Sequence, residues 1–145
     1  MKCFVVLRCS CSVIYFVPFE SPGRIEEALV LVHGFPTSSY DYKRAIPHLT
    51  QGCATKCMSV VTFDHLGYGF SDKPSQGYTY SLMDQADNAL TLWRKLGIAK
   101  AHIVSHDMGD SVMTEILTRK MNGQLPDYFK DFFQVKINHE ENEAK

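Results

Sequence analysis

Three short strand candidates, each followed by a helical pattern, constrain the fold of this chain more than any other feature. They are the continuous apolar run Ala28–Val32 and the largely apolar segments Ser59–Phe63 and Ala101–Val104. A continuous apolar run of this length is typical of a strand that is buried on both faces. Strands that alternate with helices form parallel sheets joined by right-handed crossovers. The sequence therefore predicts an α/β fold, with an open, mostly parallel sheet and helices on both faces.

The segments after these runs carry helix signals of three kinds, namely capping side chains, apolar residues at helical spacing and glycine stops. Proline is expected to limit the first helix, because it cannot continue a helix interior. The predicted helices are Thr37 to about His48, with Thr37, Ser38 or Ser39 as cap and Pro47 limiting its length; Leu82–Leu96, with Ser81 as cap, Gly97 as stop and an apolar face of Leu82, Ala86, Ala89, Leu90, Trp93 and Leu96; and Met108–Lys120, stopped by Asn122-Gly123.

The chain divides into a core and two flanking segments. We assign residues 28–123 to the core, and residues 124–145 to a final strand at Phe132–Ile137 followed by a charged tail. Residues 1–27 are rich in β-branched and aromatic side chains, which favours a strand or hairpin at the sheet edge. A signal peptide is the alternative, because a basic start precedes an apolar run, although Arg8 interrupts that run.

Charge and cysteine usage exclude several classes of partner. The chain has 15 Lys and Arg against 16 Asp and Glu, a net charge of -1, so no summed field draws it to nucleic acid. An odd number of cysteines weakly favours a reducing compartment. We therefore expect no nucleic acid, no metal and no cofactor, since the spacing of the cysteines does not form a zinc site: Cys3, Cys9, Cys11, Cys53 and Cys57.

The segment Ser105–Gly109 (SHDMG) carries the chemistry, because it lies where a strand passes directly into a helix. A nucleophile elbow requires small residues two positions before and two after the reactive residue, since its turn is sharp. Ser105 and Gly109 meet this requirement around Asp107, and no neighbouring register does. Asp107 is therefore the candidate nucleophile. The alternative is that Asp107 only caps the following helix, as aspartate often does.

Two further motifs follow the earlier strands. His33-Gly34-Phe35-Pro36 lies where a hydrolase with such an elbow places its second oxyanion donor. Because Pro36 has no N–H, the donor is the backbone N–H of Phe35, together with that of Met108. A tight Gly-Pro turn is the alternative for this motif. The second motif spans 64–71 (DHLGYGFS), and we interpret its residues Asp64, Gly67 and Gly69 as structural.

These motifs resemble those of the α/β-hydrolases that use an aspartate nucleophile, such as epoxide hydrolases and haloalkane dehalogenases. The resemblance rests on residues 33–42 (HGFPTSSYDY), 64–74 (DHLGYGFSDKP) and 105–110 (SHDMGD), and it covers Ala28–Gly123. It implies a partial α/β-hydrolase fold and a two-step reaction on a small apolar electrophile. In that reaction Asp107 forms an alkyl ester, which a histidine-activated water then hydrolyses while the Phe35 and Met108 N–H groups hold the developing charge.

The chain also departs from this family pattern. Met108 stands where most of these enzymes have a tryptophan, and Phe35 where dehalogenases have an asparagine, so halide chemistry is the less favoured option. His139 is the one histidine that follows the elbow, and it lies on a polar tail. We therefore expect this chain to be the N-terminal portion of a longer hydrolase. A non-catalytic remnant that acts by binding is the alternative. The compartment stays open between the cytoplasm and the endoplasmic reticulum membrane, and membrane association is implied by resemblance alone.

Overall fold

The computed structural model describes residues 5–9, 12–15, 25–50, 59–129 and 131–132. Their strands form one sheet in the order β2-β1-β4-β3-β5, in which β3 pairs in parallel with both β4 and β5. β1 pairs antiparallel with β2 and with β4. The predicted α/β fold with a mostly parallel sheet is confirmed, and so are the bounds of β3 and β4, while β5 is one residue longer than predicted. The strands are β1 Val5–Cys9, β2 Ser12–Tyr15, β3 Ala28–Val32, β4 Ser59–Phe63 and β5 Ala101–Ser105.

The region between β3 and β4 differs from the single predicted helix. It consists of a 3-10 turn at Ser39–Lys43, with Ser38 as N-cap, followed by α1 at Ala45–Thr50. The expectation that Pro47 limits the helix is wrong, because Pro47 lies in the first turn of α1. There the missing N–H has no helical partner to lose, so proline is tolerated.

The other two helices follow the predictions closely. α2 spans Leu82–Lys95 and begins at Ser81, whose side chain accepts the N–H of Asp84, and α3 spans Met108–Met121. One residue of the predicted apolar face is wrong: Leu82 is 40% exposed, because it begins α2 at the edge where the parallel strands end. The main core lies between α2, α3 and one face of the sheet, and its members include Val30, Phe63, Ala86, Trp93, Val112 and Ile116.

The parallel strands deliver the predicted motifs to one edge. His33 follows β3, Asp64 follows β4 and His106 follows β5, so the loops of all three motifs meet at the carboxyl ends of the strands. The final strand predicted at Phe132–Ile137 lies outside the described residues beyond Phe132, as do the charged tail and His139. The carbonyl of Phe132 itself accepts the Ala101 N–H of β5 at 2.8 Å. Among the described residues, no helix is long and apolar enough to cross a membrane.

Candidate active site

Asp107 occupies a strained turn between β5 and α3. Its φ is 55° and its ψ is -119°, a conformation that costs a non-glycine residue about 1–3 kcal/mol and persists only where the surroundings enforce it. Gly109 lies so close to β3 that a Cβ there would be 2.6 Å from the Val32 carbonyl oxygen. The requirement for a small residue two positions after Asp107 therefore has a direct steric cause.

The two backbone groups that we predicted as oxyanion donors both meet the Asp107 carboxylate. Oδ1 accepts the Phe35 N–H at 2.8 Å and the Met108 N–H at 2.6 Å. These two bonds hold the pKa of Asp107 below its ordinary value, and the bond from Phe35 has the larger effect. The charge of nearby His106 acts in the same direction. The carboxylate is thus held by one oxygen, and Oδ2 has no hydrogen bond within the described residues.

The Gly34–Phe35 peptide is fixed from its other side by His33. The Nδ1 of His33 lies 2.9 Å from the Gly34 carbonyl oxygen, and its Nε2 lies 3.0 Å from the backbone N of His65. Because a carbonyl can only accept and an N–H can only donate, Nδ1 carries the hydrogen and Nε2 accepts. His33 therefore orients the loop that presents Phe35. Pro36 follows Phe35 through a cis peptide bond and offers no N–H.

Asp64 joins the two loops on the far side of the site. Its side chain is buried, with Oδ1 accepting the Ser39 N–H at 2.7 Å and Oδ2 accepting the Phe70 N–H at 2.8 Å. Gly69 has a φ of 48°, and a Cβ there would lie 2.0 Å from Asp64 Oδ2. Gly67, with a φ of 94°, lies against the ring of Tyr80 in the same way. These contacts hold the loops around Asp64 and both glycines in place, and none of them involves the Asp107 carboxylate.

Apolar side chains lie on the loops beside Asp107. Phe35 is 65% exposed, and its ring meets that of Tyr68 edge-on at a centroid distance of 6.3 Å. The Tyr68 hydroxyl lies 3.5 Å from the Met108 sulfur. Phe35, Tyr68 and Met108 thus form a continuous aromatic and thioether surface on these loops. A separate cavity of about 330 Å³ lies between α2 and the end of α3, beside Arg94 and Phe129, and does not include Asp107.

Several contributors to the site were missed at the level of sequence. The Tyr42 hydroxyl donates to the Val32 carbonyl at 2.8 Å, beside the contact with Gly109. Gln85 lies buried in α2 and donates to the Leu66 carbonyl at 2.9 Å, holding the loop after Asp64. The Thr37 hydroxyl lies within hydrogen-bond distance of the Gly34 carbonyl and of the Asp41 carboxylate, whereas the sequence marks Thr37 as a capping candidate alone. No local pattern marks these residues, because each acts on a partner that is distant in the chain or in an irregular loop.

His65 predicts how the stability of the site depends on pH. Burial, with a smaller contribution from the charge of His33, lowers the pKa of His65 from 6.5 to about 4, and its ring nitrogens have no hydrogen-bond partner of good geometry within the described residues. The unfolded chain takes up this proton near pH 6.5 and the folded chain only near pH 4. The contribution of neutral His65 to the free energy of unfolding is therefore fully present above pH 6.5. The free energy of unfolding falls by about 3 kcal/mol as the pH approaches 4.

Urea unfolding measured at pH 7.0, 5.5 and 4.5 tests this expectation. His65→Phe preserves the aromatic packing against Phe63, whose ring lies 5.1 Å away, and should flatten the loss of stability over that interval. His48→Gln, at an exposed position, is the matched control and should leave the loss unchanged. Equal losses in the parent and in His65→Phe would show that other groups cause the acid sensitivity.

Comparison with known proteins identifies a family and several relatives. The family model described as alpha/beta hydrolase fold matches residues 27–140. LipZ of Mycobacterium tuberculosis, named as a hydrolase, is 42% identical over 68% of this chain and 32% of its own length. The mesoderm-specific transcript protein of Mus musculus is 42% identical over 64% of this chain and 27% of its own. Epoxide hydrolase B of Mycobacterium tuberculosis is 31% identical over 74% of this chain and 29% of its own.

A solved structure supports the same relationship. The haloalkane dehalogenase DbeA from Bradyrhizobium elkani is 26% identical and superposes with a TM-score of 0.57, covering 83% of this chain and 39% of that one. The chain thus spans about a third of the length of the curated relatives it matches. Because the family model covers most of its residues, this chain belongs to the alpha/beta hydrolase fold family.

Proposed function

We propose that Asp107 is the nucleophile of an epoxide-hydrolase-like enzyme that works through an aspartyl ester. The observation that carries this proposal is that the two oxygens of the Asp107 carboxylate differ in their hydrogen bonds. Oδ1 is held by the Phe35 and Met108 N–H groups, and Oδ2 is left to attack. The pKa of Asp107 is held below its ordinary value, so the carboxylate is ionised at neutral pH, as a nucleophile must be.

The two steps follow from this arrangement. In the first, Oδ2 attacks an epoxide carbon, the ring C–O bond breaks, and the released oxygen takes up a proton from solvent. In the second, water attacks the carbonyl carbon Cγ of the ester and gives up a proton to a base. The tetrahedral intermediate places its negative charge on Oδ1, and it collapses when the Cγ–Oδ2 bond breaks and the diol leaves with Oδ2 and a proton. Because Oδ1 already accepts two backbone N–H bonds, this charge develops in a prepared oxyanion hole.

The surroundings of Asp107 favour an apolar epoxide over a halide substrate. Phe35, Tyr68 and Met108 present rings and a thioether, and a thioether has no N–H to donate to a departing halide ion. Epoxide hydrolase B is similar to this chain by sequence, and the dehalogenase DbeA by structure and at lower identity. The substrate class proposed is therefore a small apolar epoxide.

Complete turnover, in this proposal, belongs to a longer parent protein. The hydrolysis step needs a base within hydrogen-bond reach of the attacking water, whereas both hydrogen bonds to the Asp107 carboxylate within the described residues come from backbone N–H groups. The curated relatives are about three times as long as the stretch that this chain matches. We propose that a truncated chain of this kind retains the first step and not the second.

Incubation with styrene oxide, followed by intact-mass measurement, tests the proposal. We expect one equivalent of adduct, located at Asp107 by peptide mapping, and no release of diol. Asp107→Asn should abolish the adduct, while it keeps the turn, since asparagine tolerates a positive φ. Asp110→Asn removes an exposed carboxylate three residues away and should leave the adduct intact.

The outcomes separate this proposal from its alternative, a remnant that acts by binding alone. Adduct formation that disappears in Asp107→Asn supports the nucleophile. A folded chain that gives no adduct at Asp107, even at high epoxide concentration, would contradict it and favour the remnant. Repeated turnover by this chain, lost on His139→Ala, would show that the tail supplies the base and that the chain is complete in function.

A further inference from the structure

The oxyanion donor at Phe35 depends on how one peptide plane is held. Because a peptide unit is planar, the direction of the Phe35 N–H is fixed by whatever fixes the Gly34 carbonyl. That carbonyl oxygen is approached by His33 Nδ1 at 2.9 Å, by the Thr37 N–H at 3.2 Å and by Thr37 Oγ1 at 3.1 Å. Two of these three contacts come from a single residue, Thr37.

The Thr37 hydroxyl has a second acceptor within reach, the Oδ2 of Asp41. A hydroxyl carries one hydrogen, so the Gly34 carbonyl and the Asp41 carboxylate must share it or compete for it. An ionised acceptor forms the stronger bond. Asp41 thus draws the hydrogen away from the peptide that presents the oxyanion donor, although neither Asp41 nor Thr37 contacts the Asp107 carboxylate in the hydrogen bonds of the site.

We propose that Thr37 is a positioning residue for the Phe35 N–H. Asp41 sets the strength of the Phe35 N–H as a donor, because it competes for the Thr37 hydroxyl hydrogen. The inference rests on the proposed role of Asp107 as nucleophile. A hydrogen bond to the Gly34 carbonyl both aims the Phe35 N–H and polarises the peptide, which makes that N–H a better donor. Loss of the Thr37 hydroxyl weakens the donor. Loss of the Asp41 carboxylate strengthens it, because the hydroxyl then bonds to Gly34 alone.

The direct readout is the pKa of Asp107, measured in the full chain by the carbon-13 shift of its carboxyl group as the pH is varied. It needs no substrate, so it remains decisive even if styrene oxide forms no adduct. The Phe35 N–H is the largest cause of the low pKa of Asp107, so a weaker donor must raise that pKa. We expect Thr37→Val to raise it by about 0.5 and Thr37→Ser to leave it unchanged.

Asp41 is tested by a double-mutant cycle. Asp41→Ala removes a negative charge, and this alone lowers the pKa of Asp107 in any background. We expect a larger fall when Thr37 is present than when residue 37 is valine, and the difference between the two falls isolates the competition for the hydrogen. Equal falls in both backgrounds would overturn the role assigned to Asp41.

Thr118→Val is the matched control, because the Thr118 hydroxyl donates to the Thr114 carbonyl at 2.8 Å on the exposed face of α3. It should leave the pKa of Asp107 unchanged. Thermal melts followed by Trp93 fluorescence establish that each variant folds, and Thr37→Ala replaces Thr37→Val if the latter does not. A folded variant without the hydroxyl whose Asp107 titrates as in the parent would overturn the inference.

Adduct formation gives a second readout. If the parent chain is alkylated by styrene oxide, Thr37→Val should lower the second-order rate constant about threefold to tenfold through misalignment of the reacting carboxylate. Failure of the parent to react would count against the nucleophile alone, since the titration decides the positioning role separately. Reaction of Thr37→Val at the parental rate, with an unchanged pKa, would contradict the positioning role while leaving Asp107 as the nucleophile.

Discussion

Replacement of Gly34 by alanine is expected to slow alkylation of Asp107 by at least about 100-fold, the loss seen when one oxyanion donor is removed. A Cβ at residue 34 would lie 2.6 Å from the Asp107 Cβ, 2.9 Å from its Oδ1 and 2.9 Å from the His106 carbonyl oxygen. Two of these atoms belong to Asp107 itself. The loop and the elbow must therefore separate, and the 2.8 Å bond from the Phe35 N–H is the first contact to be lost.

Single-turnover kinetics with styrene oxide measure this effect, and the pKa of Asp107 should rise in the same variant because a donor has been withdrawn. Gly77→Ala is the matched control. Gly77 has a φ of 70°, but a Cβ there meets no atom within 4 Å, so it tests backbone strain without steric intrusion. A Gly34→Ala protein that reacts as fast as the parent would mean that the Phe35 N–H does not support the reaction.

Asp64→Ala is expected to lower the free energy of unfolding by about 4 kcal/mol. The buried carboxylate accepts the backbone N–H groups of Ser39 and Phe70, which belong to two different loops. Removal of the side chain leaves the buried Ser39 N–H and the part-buried Phe70 N–H without their acceptor, at a cost of about 1–3 kcal/mol each. Because a domain is stable by only about 5–15 kcal/mol, this is a large share of the total.

Chemical denaturation at neutral pH provides the measurement for Asp64→Ala, with Asp84→Ala as the matched control. Asp84 accepts the Thr79 N–H and hydroxyl at an exposed position, so water can replace the lost bonds and the effect should be much smaller. Similar losses in the two variants would mean that burial of Asp64 does not determine its contribution. Trp93 fluorescence is a suitable probe, since Trp93 is fully buried in the core.

The parts of the fold that follow from local periodicity were predictable from the sequence. β3 is a continuous apolar run, β4 is largely apolar, and α2 carries a cap, an apolar face and a glycine stop, so each signal comes from neighbouring residues. The turn before α1 was not predictable. Its N-cap at Ser38 starts a 3-10 turn, and a proline in a first turn looks in sequence like a proline that ends a helix.

The candidate site divides along the same line. Asp107 and Gly109 could be identified because a sharp turn imposes a fixed local spacing of small residues, and Gly34 because its motif directly follows a strand. Thr37, Asp41 and Tyr42 could not, since their partners are an irregular loop and the end of β3. Phe35 and Asp107 are 72 positions apart in the sequence. The Phe35 and Met108 N–H groups converge on one oxygen because β3 and β5 pair in parallel and bring the two loops together.

The backbone turn at Asp107 has one more consequence, for how chemistry changes within such a scaffold. Gly109 approaches the Val32 carbonyl and Gly34 approaches the elbow, so both glycines belong to the backbone turn that carries residue 107. A serine or cysteine at residue 107 would occupy the same exposed position, between the same two backbone N–H groups. If the proposed role of Asp107 is correct, exchange of this one side chain would change the reaction type while Gly34 and Gly109 preserve the turn.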